Sequence, residues 1–128
     1  MSFFHNLFSS PEQDPSDKWG ILDRAEQIDQ LIERSHEVPV AIFKHSVRCG
    51  ISAMAKAQLE AEWDLQPEQV ELYHLDLIRH RDVSNLIAEK LGVWHQSPQI
   101  ILLQDGQATY HASHQAIRVA KVKAALAA

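Results

Sequence analysis

Two short, unbroken apolar runs constrain the fold most strongly: Val40-Ala41-Ile42-Phe43 and Ile100-Ile101-Leu102-Leu103. A strand with one face in water alternates apolar and polar residues. A continuous run of this length fits a strand covered on both faces, which in turn requires helices above and below the sheet.

The stretches between the runs supply those helices. Trp19 to Leu22 reads as a short edge strand, and Asp23 then resembles an N-cap, with Glu26 three residues on in capping-box spacing. Ile28, Leu31 and Ile32 carry a helical spacing through Ser35, and Pro39 stops it. After the first run, Ile51, Met54, Ala55, Leu59 and Trp63 recur on one face of a helix that starts near Cys49 and is broken by Pro67. Val70, Leu72 and Tyr73-His74-Leu75 read as a second central strand. Asp82 is placed to cap a helix with Val83, Leu86, Ile87 and Leu91 on its apolar face, closed by Gly92. Beyond Leu103, Asp105-Gly106 is a hairpin signal leading to Thr109 and Tyr110. Ser113 is placed to cap a last helix with Ile117, Ala120 and Ala124 inward. The order is β-α-β-α-β-α-β-β-α, an α/β chain with a mixed central sheet flanked by helices. That is the thioredoxin-like arrangement.

A chain of 128 residues fits one domain. Residues 1–17 read as an N-terminal arm, because Ser9-Ser10-Pro11 and Asp14-Pro15-Ser16-Asp17 are breaker clusters, and residues 18–128 as the folded domain. The formal net charge of −5 argues against nucleic acid as a partner and against docking on an anionic membrane. No apolar run approaches the roughly 20 residues of a membrane span. The apolar stretch Met1 to Phe8 lacks a basic leader and a cleavage pattern, so no secretory signal is expected. The single cysteine excludes an internal disulfide and fits a reducing compartment, with the cytoplasm as the expected location and a monomer as the expected state.

That cysteine, Cys49, sits where a buried strand ends and a helix begins. A helix N-terminus offers unpaired N–H groups and a partial positive charge, which favour thiolate over thiol. Arg48, Lys44 and His45 would push the same way. A thiolate attacks disulfides and sulfenic acids. The bland alternative is a small buried hydrophobe. Ser52 stands where a Cys-x-x-Cys motif would carry its second thiol, so a mixed disulfide on Cys49 has to be resolved by an outside thiol. The Ser52 hydroxyl either donates to the sulfur or satisfies a backbone group in the first turn. Pro98, in Gln96-Ser97-Pro98-Gln99, opens the Ile100 strand. In a thioredoxin-like fold this position faces the cysteine, and a cis bond there leaves the preceding backbone free to pair with an extended substrate. An ordinary trans proline is the alternative.

Eight histidines, including His45, His74, His95, His111 and His114, raise a metal centre, but no Cys/His spacing matches a structural zinc signature and no metal is expected. There is no phosphate loop and no serine elbow. Trp19, Trp63 and Trp94 are dispersed and read as core or edge residues.

Lys44-His45-Ser46-x-x-Cys49-x-Ile51-Ser52 resembles the active-site stretch of the monothiol bacilliredoxins, the YtxJ-type proteins of the bacillithiol system. The similarity continues at Arg81-x-x-Ser84-Asn85-x-Ile87-Ala88, at His95-x-Ser97-Pro98-Gln99 and at Ser113-His114. These blocks cover most of the chain from Trp19 onward. The family's usual motif has Thr-Cys-Pro, where this chain has Arg48-Cys49-Gly50. The resemblance implies a thioredoxin-like fold and removal of bacillithiol from protein mixed disulfides. It implies Cys49 as nucleophile, Pro98 as a substrate-positioning residue, and Ser97, Ser52, Arg48 and Lys44 in substrate binding. Lys44, Arg48 or Arg81 would pair with the carboxylates of bacillithiol. Bacillithiol is then the co-substrate, no bound cofactor is required, and bacillithiolated proteins are the partners. Two other readings of the residues stay open: a redox-inactive binding module and a single-cysteine redox sensor.

Overall fold

Val40–His45 forms strand β2, whose six residues are all buried. Its position in the sheet explains why. On one side it pairs in parallel with β3 (Glu71–Asp76), from Val40↔Glu71 to His45↔Asp76. On the other it pairs antiparallel with β4 (Gln99–Gln104), with Lys44 opposite Gln99. β1 (Gly20–Ile21) extends the sheet beyond β3, and β5 (Gln107–Ser113) pairs antiparallel with β4, giving the order β1-β3-β2-β4-β5. This computed structural model describes residues 20–46 and 48–128; the expected arm over 1–17 and the strand start at Trp19 lie outside the described residues.

Among the described residues four helices cover the sheet: α1 (Glu26–Arg34), α2 (Gly50–Glu62), α3 (Arg81–Leu91) and α4 (Val119–Ala127), with a short 3-10 turn at His114–Ala116. The strands divide their side chains between two cores by simple alternation. Ala41, Phe43, Leu72, Ile100 and Leu102 face α2 and α4, packing on Ala55, Leu59, Val119 and Val122. Val40, Ile42, Tyr73, Leu75, Ile101 and Leu103 face α1 and α3, packing on Ile28, Leu31, Val83 and Ile87. The order expected from the apolar runs is the observed one. None of the described helices is long and apolar enough to cross a membrane.

The helix starts differ from expectation. At α1 the cap residue is Ala25, which has no side-chain capping bond, and Asp23 is capped rather than capping. The buried Gln27 side chain reaches back instead, its Oε1 accepting from the N–H groups of Asp23 and Arg24 at 2.8 Å each. Asp82 lies in the first turn of α3, behind His80 at the cap. Ser113 ends β5, and α4 starts six residues later, with Val119 and Val122 as its buried residues, so Ala120 and Ala124 face solvent. The terminators are as expected: Gly92 closes α3 in the left-handed region (φ 66°), and Asp105 and Gly106 (φ 52° and 82°) make the hairpin turn.

Candidate functional site

Register brings three distant segments to one end of the sheet. The C-terminal end of β2 lies beside the start of β4 through Lys44↔Gln99, and the start of β4 lies beside the end of β5 through Gln99↔Ser113. Cys49 follows β2 by four residues, Pro98 immediately precedes β4, and His114 immediately follows β5. The Ser97–Pro98 bond is cis. The Pro98 carbonyl accepts from the His114 N–H at 3.2 Å, and the 3-10 turn that His114 opens packs on α2. One short element thus links the Pro98 segment to the helix that carries Cys49.

Cys49 is the N-cap of α2, in extended conformation (φ −106°, ψ 123°) and half-exposed. Its N–H donates to the Ser46 carbonyl at 3.2 Å, and its own carbonyl accepts from Ala53 at 3.0 Å. The backbone N–H of Ser52, and then that of Ile51, hold the thiol below the ordinary cysteine range; partial desolvation opposes them, and the Ser52 hydroxyl adds a smaller effect in the same direction. Ser52 is fully buried and its Oγ also accepts from the Ser46 N–H at 3.3 Å, so the hydroxyl serves both the sulfur and the turn. The flanking cations do not set this environment. Arg48 is exposed, and Lys44 is buried on the other side of the sheet from α2. The arrangement favours the thiolate of a half-exposed cysteine, the form that is nucleophilic toward disulfide sulfur, with no second cysteine in the chain to resolve the product.

The other expected residues divide. Ser97 is half-exposed and Pro98 buried, both in the segment leading into β4; Arg81 is exposed at the start of α3. Lys44 departs from its expected role: at 0% exposure its ammonium is unavailable to a ligand in solvent, and it bonds His95 Nδ1 at 3.0 Å. Alternation along a strand covered on both faces is the reason. His45, one residue on, is buried on the α2 side, where its ring stacks on His74 (centroids 3.9 Å apart) and on Phe43 (5.7 Å). Burial holds both imidazoles below their ordinary value, His74 down to about 3. Among the described residues no group of three His, Cys, Asp or Glu side chains is assembled that could hold a metal ion.

Ile51 and Met54, expected on the inner face of α2, are exposed there, and Trp94 is 89% exposed rather than core. The i, i+3, i+4 pattern is real only from Ala55 onward. The sequence also left Lys44, Ser84, His95 and Gln99 unconnected. A charged residue continuing a two-sided apolar strand is the signal that marks such a buried polar group.

The family model of the monothiol bacilliredoxin BrxC matches residues 21–122. Among solved structures, a protein described as a candidate oxidoreductase with a thioredoxin fold is 32% identical, with a TM-score of 0.70 over 82% of this chain and 90% of that one. Thioredoxin from Malassezia sympodialis (20% identity, TM-score 0.61, 84% and 86% covered) shares the fold. So does thioredoxin from Fasciola hepatica (17%, 0.65, 84% and 95%). The match spans both cores and every segment that converges on Cys49: the chain has a thioredoxin fold and belongs to the monothiol bacilliredoxin family.

Proposed function

We propose that the protein removes bacillithiol from protein mixed disulfides through Cys49. The Cys49 thiolate attacks the bacillithiol sulfur of the mixed disulfide. A new S–S bond forms between Cys49 and bacillithiol, the old one breaks, and the client leaves as a thiolate. A second bacillithiol thiolate then attacks the bacillithiol sulfur of the adduct, producing oxidised bacillithiol and returning the Cys49 thiolate. Both steps are thiol–disulfide exchanges, so electrons balance without another oxidant or reductant. The single observation that carries this reading is a half-exposed Cys49 at the N-cap of α2, where the helix start favours the thiolate, with Ser52 in the resolving position.

In this scheme Pro98 and the Ser97 backbone position the client. Arg48, exposed beside Cys49, and Arg81 are the cations available to the carboxylates of bacillithiol. The chemistry belongs to a reducing compartment, the cytoplasm. The test is turnover: a peptide carrying a bacillithiol mixed disulfide, given excess bacillithiol, releases its thiol catalytically with the wild type and not with Cys49→Ser. Release by Cys49→Ser equal to wild type overturns the role of Cys49. Cys49 that is alkylated quickly but supports no release overturns bacillithiol as the substrate.

A further inference from the structure

Lys44 follows Val40 and Ile42 onto the α1 and α3 side of β2, where it is fully buried beside the apolar core of that face. A buried ammonium needs a hydrogen-bond partner, and among the described residues Lys44 finds it in His95 Nδ1 at 3.0 Å. Ser84 Oγ, from α3, reaches the same nitrogen at 3.3 Å. An ammonium only donates, so Nδ1 is the acceptor and the ring proton sits on Nε2. Directly across the antiparallel pair, Gln99 is 1% exposed, shares this face, and donates from Nε2 to the Trp94 carbonyl at 2.9 Å. Residues 94–99 are therefore fastened twice, by the Trp94 carbonyl to Gln99 and by the His95 ring to Lys44. Between the fasteners lie Ser97 and Pro98.

We propose that Lys44 is a positioning residue: acting through His95, it holds the 94–99 segment at the Cys49 end of the sheet, and proton uptake by His95 releases the hold. The charged groups that His95 meets are Lys44 from β2 and Arg81 from α3, both cationic, while Ser84 and Gln99 are neutral. Burial and these two cations already hold the ring below its ordinary value. A protonated His95 has no acceptor to offer an ammonium 3.0 Å away, so the bond and the second charge are incompatible. Burial keeps Lys44 down to about 8, so an ammonium against a neutral ring is the arrangement at neutral pH. Only the importance of the segment for client binding rests on the proposed function; the hold itself does not.

The experiment compares wild type, Lys44→Met and His95→Gln by amide hydrogen exchange over residues 94–99, NMR titration of His95, and two Cys49 reactions, one with a bacillithiolated peptide and one with iodoacetamide. Near neutral pH, Lys44→Met is expected to lower protection of the segment about tenfold, the effect of losing one charge-assisted hydrogen bond, with alkylation unchanged. His95 titrates higher in that variant. Wild type loses the same protection on acidification, following the His95 titration, and His95→Gln removes the acid step. Should Lys44→Met fail to fold, the wild-type titration and His95→Gln carry the same decision. Protection unchanged by either substitution and through the His95 titration overturns the proposal. If protection behaves as expected and wild type takes no bacillithiol, the proposed function fails and the positioning role stands.

Discussion

The Cys49 sulfur is served mainly by two backbone amides, and backbone amides survive side-chain substitution. The alkylation rate is expected to rise with pH around a midpoint below that of a free cysteine, because the thiolate is favoured in the folded protein and is lost only as pH falls through its lowered value. Ser52→Ala keeps the Ser52 N–H and removes the hydroxyl. It should move that midpoint up only slightly, yet cost about 1 kcal/mol in urea unfolding, since the part-buried Ser46 N–H loses its acceptor. A midpoint equal to a free cysteine's would show that the hydroxyl, not the amides, controls the sulfur. Cys49 was readable in the sequence because a strand-to-helix junction fixes what surrounds the residue at the cap. Lys44 was not. Its role depends on His95, 51 residues away, and local patterns carry no information about such a partner.

At the first position of α2, Gly50 has nothing within 4 Å of where a Cβ would stand. Cys49 before it is already in the extended region that a following proline demands. Gly50→Pro, which restores the residue usual in the family, is therefore expected to raise stability by about 0.5–1 kcal/mol through the unfolded chain, seen as a higher urea midpoint with unchanged slope. A lower midpoint would mean that the Gly50 N–H has a partner. Helix existence and helix ends were legible to different degrees. The apolar faces of α1 and α3 and the Gly92 terminator follow from spacing and backbone freedom. The starts at Asp23, Asp82 and Ser113 were misplaced because capping is a competition among all nearby polar groups. Gln27, buried in the first turn, wins at α1 through bonds that no short motif encodes.

The molecule as a whole carries cationic groups whose charge is disfavoured by burial: His45, His74, His95 and Lys44. For each, the unfolded chain binds protons more readily than the fold, so stability rises with pH across its window. For His74 that window runs from about 3 up to the ordinary 6.5, so acidification below neutrality is expected to remove stability on the order of a few kcal/mol. His74→Phe, which keeps a ring against Phe43 and His45, should flatten that dependence in urea melts taken across the range. An unchanged slope would place the acid sensitivity elsewhere. For Lys44 the cost of its buried charge is present below about 8 and relieved as pH rises toward 10.5. The two unbroken apolar runs made the sheet and its two-sided cover legible, since only such an architecture buries both faces of β2 and β4. That Pro98 faces Cys49 followed from the fold class, while the link through His114 needed the register, which sequence spacing does not supply. Intact mass after a single brief incubation with a bacillithiolated peptide asks whether Cys49 accepts bacillithiol from a client, as proposed. A gain of one bacillithiol is expected, absent in Cys49→Ser and reversed by free bacillithiol. An unmodified mass, or a gain of the peptide in its place that bacillithiol cannot remove, would contradict it.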